Sequence, residues 1–582
     1  MKVRQMMFSR VLKIDGFFDD YLRIIMQKQL LDTELWQKCV NVFSSGIDDN
    51  DRGWRGEYWG KMMRGACLVY SVTRSPELYG TLTQAVKGLL EKQEKSGRIS
   101  SYSVENEFFG WDIWARKYVM TGLQHYLDIC DDPAFSQRIM KALVAHADYI
   151  TEHIGEGKIN ILDTGLYWGS VNSASILEPF VRLYADTKNT GYLDFAEYII
   201  KSGGCAQGNL IHCVNEGKAP FEFPETKAYE TMSFFEGLLA YYEVTGKKEY
   251  LDCVIKFTDS VLKTDYTAIG SCGCTHELFD NSTVKQTEPS DKIMQETCVT
   301  VTLMRLLTRL FNVTGGKKYI NAFRKSALNA LSGALNINGY EQYGMEKKVF
   351  LPGMVFDSYS PVCDGSRARG IGGFKQFANG SYFGCCACIA SAGFALYPLM
   401  CVTEKGGTIS VNYIECGEYE TSVGDNTVRI SVSPGKIKIT APEDLRFTLK
   451  LTGGDNYTRI TAGKEKDIAG EGGYYIFNSI GNGDSIEFVT EPLFKEETIN
   501  GKSTFNFGGY ALAADTAKTP AYKPGEKIMF TRDENGAVTY EALSPHEGEQ
   551  IRISVNTEKG NLILTDYAAA GQDGKSLVTV WF

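Results

Sequence analysis

The chain has 582 residues, 43% of them hydrophobic and 23% charged, a balance that excludes wholesale disorder. At about 100–200 residues per domain that length requires several packing units. Lys and Arg total 61 against 71 Asp and Glu, and the formal net charge of −10 argues against nucleic acid or an anionic membrane as the main partner.

The first residues, MKVRQMMFSRVLKIDGFFDDYLRIIM, contain no continuous apolar core and no small-residue cleavage site, so no secretion signal is expected. A first helical unit is predicted from Tyr21 to Phe43. A repeated phrase follows, in which an aromatic or apolar pair leads into turn residues and then into a new helix. It reads VYSVTRSPELY near Tyr70, HYLDICDDPAF near Tyr126, LYADTKNTGYL near Tyr184, YYEVTGKKEYL near Tyr242 and LFNVTGGKKYI near Phe311. The steps between these anchors are 56, 58, 58 and 69 residues, room for two helices of about 15–20 residues plus loops. With a last helix from Ile389 to Met400, the copies predict an α+β multidomain chain that begins with an (α/α)6 toroid, or barrel. An open α-solenoid is the competing arrangement.

The pattern changes near Gly406. Short alternating runs then dominate: Thr408 to Ile414, Val428 to Val432, Lys436 to Thr440, Phe447 to Leu451, Ser485 to Val489 and Leu577 to Phe582. They predict a C-terminal β-sandwich region or two small β units. The expected division is a catalytic helical domain over 1–402 and β-sandwich structure over 403–582.

Two separated clusters carry the strongest chemical signal. Glu296-Thr297-Cys298 is followed much later by Cys385-Cys386, and thiolates with a carboxylate make a tetrahedral zinc set. Residues i and i+2 lie about 200° apart on a helix, so Glu296 and Cys298 converge only from extended chain just before the helix suggested by Val299 to Phe311. Gly384 would give the CC pair the bend it needs. Cysteine is also a common buried core residue, so a purely structural role stays open. So do a vicinal disulfide at Cys385-Cys386 and the rivals Cys272, Cys274 and Cys388. The 15 scattered cysteines and the missing secretion signal favour reduced thiols and the cytoplasm.

Glu277, beside Leu278 and Phe279, is the candidate general acid, with a solvated loop carboxylate as the plain alternative and Asp280, Glu288 and Asp291 as competitors. Aromatic and polar residues mix at expected loop-to-helix junctions: Trp54 to Trp59, Trp111 to Lys117, Asn172 to Glu178, Tyr229-Glu230 and Tyr359 to Arg367. From these, Tyr58, Trp59, Trp111, Glu178, Tyr229, Glu230, Tyr359 and Arg367 are the candidate substrate-binding residues of a sugar pocket, with core packing and surface pairing as the alternative. No nucleotide-binding loop is present.

ETCVTVT (Glu296 to Thr302), HELF upstream of it and the CC pair about 90 residues downstream resemble glycoside hydrolase family 127 of the β-L-arabinofuranosidase superfamily, with family 146 a relative. NSASILEP, KAYETMSFFEGLL and the Tyr359 to Arg367 stretch extend the resemblance over roughly residues 50–415. It implies an (α/α)6 barrel with appended β-sandwiches and a Zn2+ ion held by Glu296, Cys298, Cys385 and Cys386. It also implies Cys385 as nucleophile and Glu277 as acid/base. The expected activity is retaining exo-hydrolysis of a small oligosaccharide or glycoside ending in a furanosyl residue such as β-L-arabinofuranose. A different rare or acidic sugar, and a non-catalytic carbohydrate-binding protein with a structural zinc, are the alternatives. No nucleic-acid or membrane partner is expected, and a homodimer stays open.

Overall fold

The structure, a computed structural model, describes residues 8–288, 293–344, 349–367, 373–452, 457–460, 469–471 and 474–582. Asp291 lies outside the described residues. The first elements are a short strand, β1 (Arg10–Ile14), and helices α1 (Phe17–Ile25) and α2 (Thr33–Asn41). Five helical hairpins follow: α3 (Glu57–Thr73) with α4 (Pro76–Leu90), α5 (Asp112–Ile129) with α6 (Pro133–His153), α7 (Leu177–Thr187) with α8 (Thr190–Lys201), α9 (Ala228–Thr245) with α10 (Lys248–Thr264), and α11 (Thr297–Thr314) with α12 (Lys317–Ser326).

Each hairpin turn falls at one of the repeated phrases, for reasons visible in the residues. Four of the first helices stop at a left-handed residue: Arg74 (φ 52°), Lys188 (φ 62°), Gly246 (φ 71°) and Gly315 (φ 69°). The next helix restarts on a capping side chain at three of the turns. Ser75 accepts the Leu78 amide, Asp132 the Ala134 and Phe135 amides, and Asn189 the Gly191 amide. Pro76 and Pro133 occupy the first helical position, where a missing N–H costs nothing.

The last long helix, α13, spans Cys385–Cys401, four residues more at its start than the apolar run from Ile389 suggested. The first helices of the hairpins pack in sequence, α3 on α5, then α7, α9, α11 and α13, and α13 returns to α3. Their partners α4, α6, α8, α10 and α12 each lie against the helix of their own hairpin. The two sets differ accordingly. α3 and α11 are buried almost all round, charged residues included, whereas α10 buries one face through Cys253, Val254, Phe257 and Val261. Gly60 allows the closest approach in the circuit, since a Cβ there would run into the Tyr118 carbonyl of α5.

Beyond Cys401 the described residues form strands joined by turns and loops, with the first strand at Val402–Lys405. One sheet orders Gly417–Val423, Asn426–Ser433, Lys436–Thr440 and Ser485–Glu487, with β1 added at its edge against Gly417–Val423. A second orders Ala469–Glu471, Tyr474–Ile480, Phe447–Thr452, Thr408–Val411 and Val402–Lys405. A separate sheet runs through Phe494–Ile499, Lys502–Phe507, Tyr510–Asp515, Gly560–Asp566, Arg552–Thr557 and Tyr540–Leu543, with its own core around Phe505, Leu512, Ile553 and Leu564. Short strands also occur among the helices, including β2 (Met294–Glu296) and β3 (Tyr359–Pro361), which pair with each other. Among the described residues no helix is long and apolar enough to cross a membrane.

Arg367 fastens the last β unit to the helices. It is fully buried, and its guanidinium donates to the carbonyls of Ala570 (2.6 Å), Tyr567 (2.6 Å) and Gly333 (2.5 Å). It therefore braces the fold, a role other than the substrate contact expected of it. Arg367→Met should strip three buried carbonyls of a charged donor and cost about 3–5 kcal/mol in urea unfolding. A cost under about 1 kcal/mol would mean the brace is dispensable.

Candidate active site and metal centre

The site is built where two helices of the circuit begin. β2 ends at Glu296, which has extended backbone (φ −78°, ψ 132°), and α11 starts at the next residue, so Cys298 sits in the first helical turn. The change from strand to helix between them turns two side chains that a continuous helix would separate toward one point. Cys385 and Cys386 are the first residues of α13. Gly384 before them has φ −124°, an ordinary extended value. Its glycine is required for space instead, because a Cβ would press on the Phe374 ring at 2.9 Å.

One donor atom from each of Glu296, Cys298, Cys385 and Cys386 lies within 4.8 Å of the others. Cys386 Sγ is 3.3 Å from Glu296 Oε1 and 3.8 Å from Cys385 Sγ. Donors about 2.3 Å from a shared tetrahedral ion stand about 3.8 Å apart, so the donor set fits a thiophilic cation such as zinc. Glu296 Oε2 supports the fit, being buried with no hydrogen-bond partner. The rivals lie elsewhere: Cys388 Sγ donates to the Gly384 carbonyl, and Cys274 Sγ faces Asp280 at 3.8 Å. All 15 cysteines are free thiols.

The electrostatics single out Cys385, the most exposed of the four at 9%. Hydrogen bonds from Cys298 and Cys386, with help from the Lys61 and Lys227 charges, hold its thiol well below the ordinary value. Burial pushes Cys298, Cys386 and Glu296 up. Both helix starts add their positive dipole ends. Lys61 Nζ stands 3.7 Å from Cys298 Sγ and 3.0 Å from Glu57 Oε1. Its ammonium lies 4.5 Å from the centre of the Tyr229 ring.

Glu277 faces this cluster through Tyr359. Register pairs Tyr359 with Glu296 across β2 and β3, and the Tyr359 hydroxyl donates to Glu277 Oε1. Lys227 Nζ donates to Glu277 Oε2. The Glu277 loop is clamped to the start of α9 by Ala228 N to Glu277 O (2.9 Å) and Phe279 N to Thr226 O (2.7 Å). His276 (φ 52°) and Glu277 (φ 66°) both adopt left-handed backbone, a costly pair that the surrounding bonds must hold. The expected apolar neighbours are not what surrounds the carboxyl, since Phe279 packs on Phe257 instead.

The other predicted residues divide. Glu230 is buried beside Lys227 and Glu277, and burial pushes its carboxyl up to about 7. Tyr229 meets the Tyr118 hydroxyl, and Trp111 stands edge-on to Trp54 and Trp114. Tyr58 donates to the Phe383 carbonyl (3.0 Å) and so holds the strand that leads into the CC pair. Trp59 and Glu178 are not brought to the cluster. Trp59 donates to Ala85 of α4, on the outer side of α3. Glu178 is held by Arg305 and Arg309 and lines a cavity of about 1070 Å³ further along the helices. Sequence reasoning missed Lys61 and Lys227. The spacing of Glu57 and Lys61, four apart on a helix, was the available signal for the first. Arg55 bonds Asp48 and Asp51, so the surface pair with Glu57 that was the plain alternative for this segment does not form.

The circuit of inner helices thus carries a thiol–carboxylate group with a clamped glutamate reached through Tyr359. Residues 12–344, more than half of the chain, match the beta-L-arabinofuranosidase, GH127 catalytic domain, and the chain belongs to this family of glycoside hydrolases. Similar solved structures include a GH127 β-arabinofuranosidase at 16% identity, TM-score 0.73, covering 99% of this chain and 97% of that one. The GH127 β-L-arabinofuranosidase of Geobacillus stearothermophilus T6 is similar at 15% identity, TM-score 0.73, with 98% and 99% covered. A third structure, described as a glycoside hydrolase, has 14% identity and a TM-score of 0.68 over 100% and 98%. These likenesses establish a shared fold. No curated protein matches the sequence.

The raised Glu230 carboxyl gives a pH signature. Unfolded, it titrates near its ordinary value of 4.5; folded, near 7, so the native state binds the extra proton between those limits. Stability then falls as pH rises through that window. Relative to wild type, Glu230→Gln should gain about 3 kcal/mol in urea unfolding between pH 4.5 and 7. A gap that does not change with pH would contradict the assignment.

Proposed function

We propose that this glycoside hydrolase is a zinc-dependent retaining exo-enzyme that releases a terminal furanosyl residue, most simply β-L-arabinofuranose. Cys385 is the nucleophile and Glu277 the acid/base. The observation that carries the reading is the meeting of Glu296, Cys298, Cys385 and Cys386 within 4.8 Å, with Glu277 linked to Glu296 through Tyr359. In this reading the helical circuit is an (α/α)6 toroid over residues 1–402, and residues 403–582 form the β-sandwich region. The cytoplasm is the compartment that keeps the thiols reduced.

Zn2+ held by Glu296, Cys298, Cys385 and Cys386 would keep the thiols deprotonated at neutral pH. Cys385 Sγ then attacks the anomeric carbon while Glu277 gives its proton to the departing oxygen. Water next attacks the same carbon, Glu277 takes the proton back, and the carbon–sulfur bond breaks with configuration retained overall. Tyr359 and Lys227 hold both oxygens of the Glu277 carboxyl in place for the two transfers.

The test is turnover of an aryl β-L-arabinofuranoside. Cys385→Ser should lose on the order of 10³-fold or more and Glu277→Gln about 10²–10⁴-fold. Mass spectrometry should find the sugar on Cys385 when Glu277→Gln is incubated with substrate. Metal analysis should find one zinc per wild-type chain and a loss of it in Cys298→Ala. Undiminished turnover by the Cys385 variant would eliminate the thiolate mechanism. Metal without any turnover or adduct would favour a structural zinc.

A further inference from the structure

The loop before α7 carries three consecutive residues in left-handed backbone, Trp168 (φ 55°), Gly169 (φ 57°) and Ser170 (φ 59°). Two of them have a Cβ, so the conformation is costly and is kept by its surroundings. Ser170 Oγ donates to Leu162 O (2.5 Å) and accepts from Gly165 N (3.2 Å), and Ala206 N donates to Gly169 O (2.8 Å). A Cβ on Gly169 would strike Cys205 Sγ at 2.6 Å, so the loop is also pressed against the 205–207 turn. This is a built feature. It presents a half-buried Trp168 and two exposed apolar residues, Leu166 (41%) and Tyr167 (46%).

The position of that feature gives it a use. Lys227 Nζ stands 4.8 Å from the centre of the Trp168 ring, and the same Nζ donates to Glu277. A line of neighbours therefore runs outward from Glu296 through Tyr359, paired with it in register, to Glu277, Lys227 and Trp168, with the exposed Tyr167 next to Trp168 in the chain. An acid that protonates the departing oxygen lies on the leaving-group side of the scissile bond, away from the nucleophile. Residues beyond the acid on that outward path border the leaving group.

The geometry points to Trp168, with Tyr167 beside it, as the platform of a leaving-group subsite that takes a second sugar ring. This deepens the proposed reaction and rests on Glu277 being its acid. An indole offers a broad, rigid apolar face with little entropy to lose, which suits the C–H face of a sugar. A leaving group without a ring gains nothing from it.

The experiment compares a disaccharide ending in β-L-arabinofuranose with methyl β-L-arabinofuranoside, using wild type, Trp168→Ala, Trp168→Phe and Tyr167→Ala. Trp168→Ala should raise KM for the disaccharide about tenfold and leave KM for the methyl glycoside within about twofold. Trp168→Phe should restore most of the disaccharide KM, and Tyr167→Ala should shift it in the same direction as Trp168→Ala by less. Equal losses on both substrates would show that Trp168 acts only by holding Lys227 and Glu277, and would overturn the subsite. So would an unchanged disaccharide KM. Intrinsic fluorescence supplies a readout independent of turnover: the disaccharide should shift wild-type emission and not that of Trp168→Phe. Should wild type cleave neither glycoside, the reaction assignment fails, and the subsite stands or falls on that shift alone.

Discussion

Four acidic donors gathered at one buried point set the terms for everything around them. Three thiols and a carboxylate cannot all ionise within 4.8 Å of one another unless positive charge is supplied. The chain supplies part of it. The first turns of α11 and α13 aim their dipoles inward, Lys61 reaches Cys298, and Lys227 reaches the neighbouring Glu277. Without a metal only one of the thiols is driven toward the thiolate, and burial pushes its neighbours the other way. This Glu/Cys group could hold a metal ion, whose charge would offset that excess, and Glu296 Oε2 is buried there without a hydrogen-bond partner.

The centre is coupled to Glu277 by strand register. Tyr359 faces Glu296 across a ladder of three residues per strand, and its hydroxyl holds Glu277. Side chains alternate along a strand, so a slip of one residue would send Tyr359 to the other side and release the carboxyl. The fold resists that slip at its ends. Thr297 donates its amide to Ser358 O and its hydroxyl to Asp357 O. The strained His276–Glu277 backbone is held by the clamp on the start of α9 and by the Tyr359 and Lys227 bonds to the Glu277 carboxyl.

The helical turns were legible because their chemistry is local. Ser75-Pro76, Asp132-Pro133, Asn189, Gly246 and Gly315 each stop or start a helix by their own stereochemistry, and all five hairpins follow them. The ETC and CC pairs were legible for a related reason, since thiols and a carboxylate at those spacings have few other uses in concert. What distance along the chain decides was not legible. β1 pairs with Gly417–Val423, about 400 residues away, and nothing in RVLKI names that partner. Trp59 and Tyr58 are neighbours in sequence, yet one points out to α4 and the other in toward the CC pair, a phase that the repeat alone does not fix.

Glu178 shows the same limit and also marks how differently the two ends of the ring treat buried charge. Arg305 lies seven residues beyond Cys298 on α11, about 10 Å along the axis. There two arginines are shared among three carboxylates: Arg305 with Glu236 and Glu178, Arg309 with Glu178 and Glu243. Arginine suits such buried pairing because its fork holds two carboxylates in fixed geometry. At the other end Glu57, Glu230, Glu277, Glu296 and the three thiols face Lys61 and Lys227. Charges on a helix buried on all sides need partners, and at the Arg305 end each of these arginines and carboxylates has an oppositely charged one. At the cysteine end four carboxyls and three thiols face two lysines, and burial pushes Glu57, Glu230 and Glu296 toward their protonated forms.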